Sequence, residues 1–208
     1  MRGLLLKDWY MMKKYCLVCF VVAAVCFAAF LINDSDTYFY YFVFLPCLLC
    51  GMIPSTLLSY DENSRWMQYS GTLPYTEAQI VSAKYLIGLF VQIALLVATG
   101  LAQAIKMGIN SNFIFKDFIL CMWPILITAS LINSILLPSI FKLGVENGRI
   151  VYFIVAGIII GASSLLRTPF LDEHAITVLL TVLSFIGIGG YIFSWYLSIV
   201  FYKQRTIA

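Results

Sequence analysis

The chain has 208 residues, 62% of them hydrophobic and 11% charged, with a formal net charge of +3, and its mean hydropathy is +0.95. Soluble domains carry about 45–50% apolar residues, so the composition excludes an ordinary soluble domain and points to an integral membrane protein. The small positive balance follows from membrane topology and carries no sign of nucleic-acid affinity.

Uncharged runs extend from Tyr15 to Asn33, Thr37 to Tyr60, Tyr85 to Ile105, Phe118 to Phe141, Ile150 to Leu166 and, allowing for His174, Ala175 to Tyr202. Each is close to or above the ~17–25 residues of a spanning helix. The expected fold is an all-α integral membrane protein of six transmembrane helices, one transmembrane domain over 1–208. Five spans is the alternative, because the fifth run is the shortest and crosses only with little tilt or with Arg149 and Arg167 snorkelling. A barrel is excluded by runs that are apolar all round. With the N-terminus inside, ten basic residues face the cytoplasm and only Lys106, Lys116 and Arg167 lie outside, so both termini are placed in the cytoplasm. The first 30 residues share features of a secretory signal, but an uncleaved span preserves both the even count and the charge bias.

Residues 1–14, MRGLLLKDWYMMKK, read as an interfacial helix along the inner leaflet, with Leu5, Trp9 and Met12 on one face and Lys7 and Lys14 roughly opposite. Asp8 sits beside that stripe and weakens it, so a plain basic flank reads equally well. Asp34 and Asp36 mark the first outer loop, followed by an aromatic cluster from Tyr38 to Phe42 at the outer interface. Span two holds Pro46 and Pro54, either of which removes a helix hydrogen bond and can interrupt the helix. Cys16, Cys19, Cys26, Cys47, Cys50 and Cys121 all fall in or beside apolar helices. Their two C-x-x-C spacings imitate metal or redox sites, but with His174 expected on the other side of the membrane they read as small core residues.

The one long polar segment runs from Tyr60 to Tyr85. Asp61 is expected to N-cap a short helix that Gly71 ends. Pro74 disfavours helix at Leu73, and Thr76 with Gln79 forms a capping box, Tyr75 and Ile80 its hydrophobic staple. Trp66, Met67 and Tyr69 on a segment that water should wet point to a cytoplasmic coupling loop, although a solvated connector would show the same caps.

Gln92, Thr99 and Gln103 share a face of span three, Asn133 lies in span four, and Thr181 and Ser184 share a face of span six. These are the candidate lining of a translocation path, and interhelical hydrogen bonding is the competing reading. The inner loop Lys142 to Arg149 is a compact turn around Gly144 and Gly148. Gly157 and Gly161 form a small-xxx-small motif for helix packing, within the chain or between copies. Gly187, Gly189 and Gly190 read as a flexible set. In the last outer loop Asp172, Glu173 and His174 stand in a row and cannot face one ion well.

Every acidic and basic residue lies at a span end or in a loop, which disfavours a proton-coupled carrier. No catalytic constellation sits at membrane depth, no metal or cofactor set is present, and there is no G-x-x-x-x-G-K-[ST] phosphate loop. The chain is therefore expected not to be an enzyme, and a transport function would need a separate motor.

The basic first helix, six spans and a loop carrying Trp66, Tyr69, Thr72-Leu73-Pro74, Ile80-Val81 and Lys84-Tyr85 resemble the membrane subunits of type 2 ABC exporters, in particular the permeases that export phenol-soluble modulins. The resemblance implies a multi-pass subunit of the bacterial cytoplasmic membrane, without cofactor of its own. A separate ATPase subunit binds ATP and Mg and grips the loop, with Arg65, Trp66, Tyr69, Leu73 and Pro74 in the coupling segment. A second copy, or a related permease, completes the path, and the cargo is amphipathic peptide. Glu77 stands where the family often has a basic residue. An uncharged path suits lipids or drugs equally, and a non-transporting scaffold, immunity or accessory subunit that binds a peptide is the alternative of a different class.

Overall fold

Where the basic N-terminal stretch gives way to uninterrupted apolar sequence, the helix breaks. In a computed structural model of the chain, which describes residues 2–32, 45–64, 66, 69, 74–109, 115–165 and 173–207, α1 (Arg2–Tyr15) and α2 (Leu17–Ile32) meet at a 63° bend. The bend lays α1 across the axis of α2, the arrangement an interfacial helix needs before the chain turns into lipid. The buried residues of α1 are Leu4, Asp8 and Met12, spaced one helical turn apart. The expected stripe was Leu5, Trp9 and Met12, yet Leu5 and Trp9 are only half-buried. Asp8, expected to spoil the apolar face, is instead its centre and is 1% exposed.

The second apolar run is interrupted just before Pro54. Helical residues 45–51 (α3) stop at a turn, and α4 (Ile53–Asn63) begins with Pro54 in its first turn. Pro54 supplies no N–H to the preceding turn. The hydroxyls of Ser55 and Thr56 bend back onto the Met52 carbonyl at 2.8 and 3.0 Å, which also accepts the Thr56 N–H. Asp61 lies in the last turn of α4, so it does not N-cap a new helix. α4 ends at Asn63 with Ser64 as its C-cap, and the Asp61 carboxylate is committed to ammonium groups described below.

α5 (Glu77–Ile109) starts at the expected capping box: Thr76 N–H donates to Gln79 Oε1 at 3.3 Å and Gln79 N–H to Thr76 Oγ1 at 3.4 Å. Tyr75 packs on the apolar cluster that contains Ile80. α6 (Phe115–Leu143) ends at Gly144, whose φ of 86° suits a residue without Cβ, and α7 (Val145–Leu165) follows at once. The chain thus turns at Gly144 alone, and Gly148, expected within the turn, lies in the first turn of α7. At Gly148 the two helices touch: a Cβ there would stand 2.4 Å from Ile140 Cγ1 and 3.2 Å from Ile140 Cα.

α8 (Glu173–Ile207) makes its most extensive contact with α6. Glycine permits the approach, since a Cβ at Gly187 would lie 2.6 Å from Ser130 Oγ and one at Gly190 3.8 Å from Ser134 Oγ. Those two glycines are close-packing positions, which corrects their reading as a flexible set. Among the described residues no atom comes within 4 Å of a Cβ added at Gly157 or Gly161. Cys16, Cys47 and Cys50 are buried among apolar side chains.

The described residues contain helices and no strand. Among them Glu77–Ile109, Ile125–Leu143 and Thr181–Gln204 are long and apolar enough to cross a membrane, and the bent pair α1 and α2 makes a fourth if it counts as one span. The Tyr38–Phe42 cluster and the outer acids Asp34, Asp36 and Asp172 lie outside the described residues.

Overpacking a close helix contact costs about 1–3 kcal/mol. Gly148→Ala should therefore lower the thermal midpoint of the detergent-purified protein. Gly108→Ala, where nothing lies within 4 Å of an added Cβ, should leave it level or higher. Equal midpoints for the two variants would contradict the close approach of α6 and α7.

Candidate functional site

The polar segment between α4 and α5 is tied at both ends to a single group of charges. Asp61 precedes it, Lys84 lies in the second turn of α5, and both turn toward Asp8 and Lys7 of α1. Lys84 Nζ is 2.5 Å from Asp61 Oδ2 and 2.8 Å from Asp8 Oδ1. Lys7 Nζ is 2.7 Å from Asp61 Oδ1 and 3.4 Å from Asp8 Oδ1. The Lys84, Asp8 and Asp61 side chains are 3%, 2% and 6% exposed, and Lys7, at 24%, forms the wet edge. Two cations and two carboxylates alternate, so each charge has its nearest neighbours of opposite sign.

Such burial dictates the arrangement. Desolvating one ion costs several kcal/mol, and only close partners of opposite sign return it. Leu58, Ile80 and Phe141 border the small recess holding Asp61 and Lys84, with Trp66 at its rim and space for about one water molecule. Lys7 Nζ also stands 3.8 Å over the Trp66 ring, a cation–π contact.

The residue after each inner anchor reaches a further helix. Glu62 Oε2 accepts the Val145 N–H at 3.4 Å, placing a carboxylate at the N-terminus of α7 where the helix dipole favours it. Tyr85 Oη is 2.6 Å from Ser194 Oγ and 2.7 Å from Ser198 Oγ, and Tyr191 Oη donates to the Tyr85 carbonyl at 2.8 Å. Trp195 Nε1 donates to Ser82 Oγ at 2.9 Å. The start of α5 is thereby bonded along one side of α8.

Of the residues expected to couple, Trp66 is helical and packs on the inner apolar cluster, so it is not the freely wetted aromatic that the sequence suggested. Its ring centroid lies 5.6 Å from that of Tyr69, which is exposed, as is Pro74. Arg65, Met67, Gly71 and Leu73 lie outside the described residues. Gln92 Nε2 donates to the Leu126 carbonyl of α6 at 3.4 Å, Thr99 Oγ1 donates to carbonyls of its own helix, and Gln103 is buried. Ser184 donates to the Thr181 carbonyl at 2.6 Å, and Thr181 itself is exposed. Asn133 is buried, and its Oδ1 has no hydrogen-bond partner among the described residues.

Sequence reasoning missed Asp8, Lys84 and the role of Asp61. The available signal was Asp8 itself, one turn from Leu4 and one from Met12. An acid centred in an otherwise apolar face demands a buried partner.

One family model, described as ABC-2 family transporter protein, matches residues 3–203. Comparisons with curated proteins and with solved structures return no match.

Removing one partner from a buried ion pair costs about 3–5 kcal/mol. Lys84→Met should therefore strongly depress the thermal midpoint, leaving Asp8 and Asp61 with Lys7 alone. Adding Asp8→Asn should restore much of the loss, because one acid then faces one cation. A double-mutant cycle measured by thermal unfolding checks this, and strictly additive losses would exclude a coupled cluster.

Proposed function

The chain belongs to the ABC-2 family of transporter proteins, and from that premise we propose that it is the membrane subunit of an ATP-driven exporter whose motor is a separate nucleotide-binding subunit. The single observation that carries this reading is the anchoring of the 60–85 segment. Both of its ends are held by one buried charge cluster that also holds α1.

A motor pressing on the Trp66 to Pro74 region then moves α4 and α5 as a unit, since Asp61 and Lys84 cannot part without stranding a buried charge. Glu62 passes that displacement to α7 and Tyr85 passes it to α8. One push thus reaches the inner ends of four helices, as a switch between two arrangements requires. ATP and its Mg belong to the partner subunit.

In this reading six spans place both termini in the cytoplasm of a bacterial cell, and a second copy or a related permease completes the path. The cargo is amphipathic or hydrophobic, with peptides of the phenol-soluble modulin kind as the first choice. A path without ionised groups suits such cargo, because helical peptides present apolar faces and hide their backbone polarity.

Proteoliposomes containing the chain and its ATPase subunit test the proposal by ATP-dependent accumulation of a labelled amphipathic helical peptide. Trp66→Ala should lower accumulation roughly tenfold, within the usual range of a coupling free energy. Trp66→Phe, which keeps a ring beneath Lys7, should recover most of it, and Pro74→Ala should also uncouple. Full transport by both alanine variants would remove the segment from the mechanism. Absence of ATP-dependent accumulation by the wild type would favour a scaffold.

A further inference from the structure

We propose that the outward face of α1 is a binding surface for anionic lipid headgroups of the inner leaflet. The face is set by the buried one. With Leu4, Asp8 and Met12 turned inward, the opposite arc presents Leu6 and Tyr10, which are 57% and 64% exposed. At 3.6 residues per turn Arg2 and Lys13 fall on one flank of that stripe and Lys14 on the other. All three are exposed.

An apolar stripe bordered on both sides by cations is the pattern of a helix lying in a membrane surface, with Leu and Tyr entering the acyl boundary and the basic groups reaching the headgroups. Charge complementarity selects anionic lipid. The only acid of α1 is Asp8, and its carboxylate is committed on the opposite face to Lys84 and Lys7. Lys13 and Lys14 stand 5.4 Å over the rings of Trp9 and Tyr15, which directs their stems along the helix while leaving the ammonium groups accessible. The 63° bend to α2 supplies the orientation, because a helix crossing α2 lies along the bilayer when α2 enters it.

A protein partner is the other occupant such a face could take. The basic flanks and the interfacial tyrosine favour lipid, and the assay below separates the two. The surface stands apart from the exporter reading, since lipid contact is measured without nucleotide or cargo.

The test places the purified full chain in phosphatidylcholine vesicles containing phosphatidylglycerol, with a trace of photoactivatable phosphatidylglycerol or phosphatidylcholine, and maps adducts by mass spectrometry. Phosphatidylglycerol should label residues 2–15 about fivefold or more above phosphatidylcholine, the factor expected from even one basic residue at an anionic surface. Raised salt should narrow the excess. Arg2→Gln, Lys13→Gln and Lys14→Gln together should abolish it while leaving adducts on the outer half of α5 unchanged. Leu6→Ala with Tyr10→Ala should lower labelling by both lipids. Equal labelling of wild-type α1 by the two lipids would overturn the proposal, as would an excess that survives in the triple glutamine variant. So would loss of α1 labelling when an ATPase subunit is added, which would assign the face to protein docking. Should the triple variant not fold, the wild-type lipid ratio and its salt dependence still decide.

Discussion

Two carboxylates and two ammonium groups that share one poorly hydrated site must stay together, and the inner end of the fold is built around that necessity. Asp8, Asp61 and Lys84 are almost wholly withdrawn from solvent. Burying any one of these groups without a partner is costly. Their alternation solves the electrostatic problem, and it fixes the geometry as well: α1 must lie against the end of α4 and the start of α5. The 60–85 segment is therefore closed at its base, whatever path it takes between Asp61 and Lys84.

Adjacent residues carry the same logic outward. Consecutive positions on a helix point about 100° apart, so a pair of neighbours can hold two different helices. Asp61 faces α1 and α5 while Glu62 reaches α7. Lys84 faces α1 and α4 while Tyr85 reaches α8. Two dipeptides thus gather five helices at one end of the molecule. Further from that end, α6 and α8 are held by shape, with serine hydroxyls filling the space that Gly187 and Gly190 leave open.

Local signals were legible in the sequence, and non-local partnerships were not. The capping box at Thr76 and Gln79, the break at Pro54 and the turn at Gly144 depend on residues a few positions apart, so spacing alone exposes them. The all-helical membrane character follows from runs too long and too apolar for any other state. Lys84 and Asp8 are separated by 76 positions and Lys7 and Asp61 by 54, and nothing local pairs them. Each looked like an ordinary span-end charge. Trp66 misled for a similar reason, because its cover comes from Lys7 and an apolar cluster assembled from distant helices. The polar stripe of α5 was visible, but the partner of Gln92, the Leu126 carbonyl 34 positions away, was not.

Stability alone does not explain an ionic joint at this place. Well-packed apolar residues of similar volume often hold helices as firmly as a buried ion network, or more firmly. What they lack is register. Apolar surfaces can slide past one another at modest cost, whereas ion pairs at 2.5–2.8 Å have one arrangement, and displacement strands a charge. An ionic joint of this geometry therefore resists sliding. Lys7 is the exception within it: partly exposed and shared between Asp61, Asp8 and the Trp66 ring. It is the wet corner of the cluster, while Asp8, Lys84 and Asp61 form its dry triad.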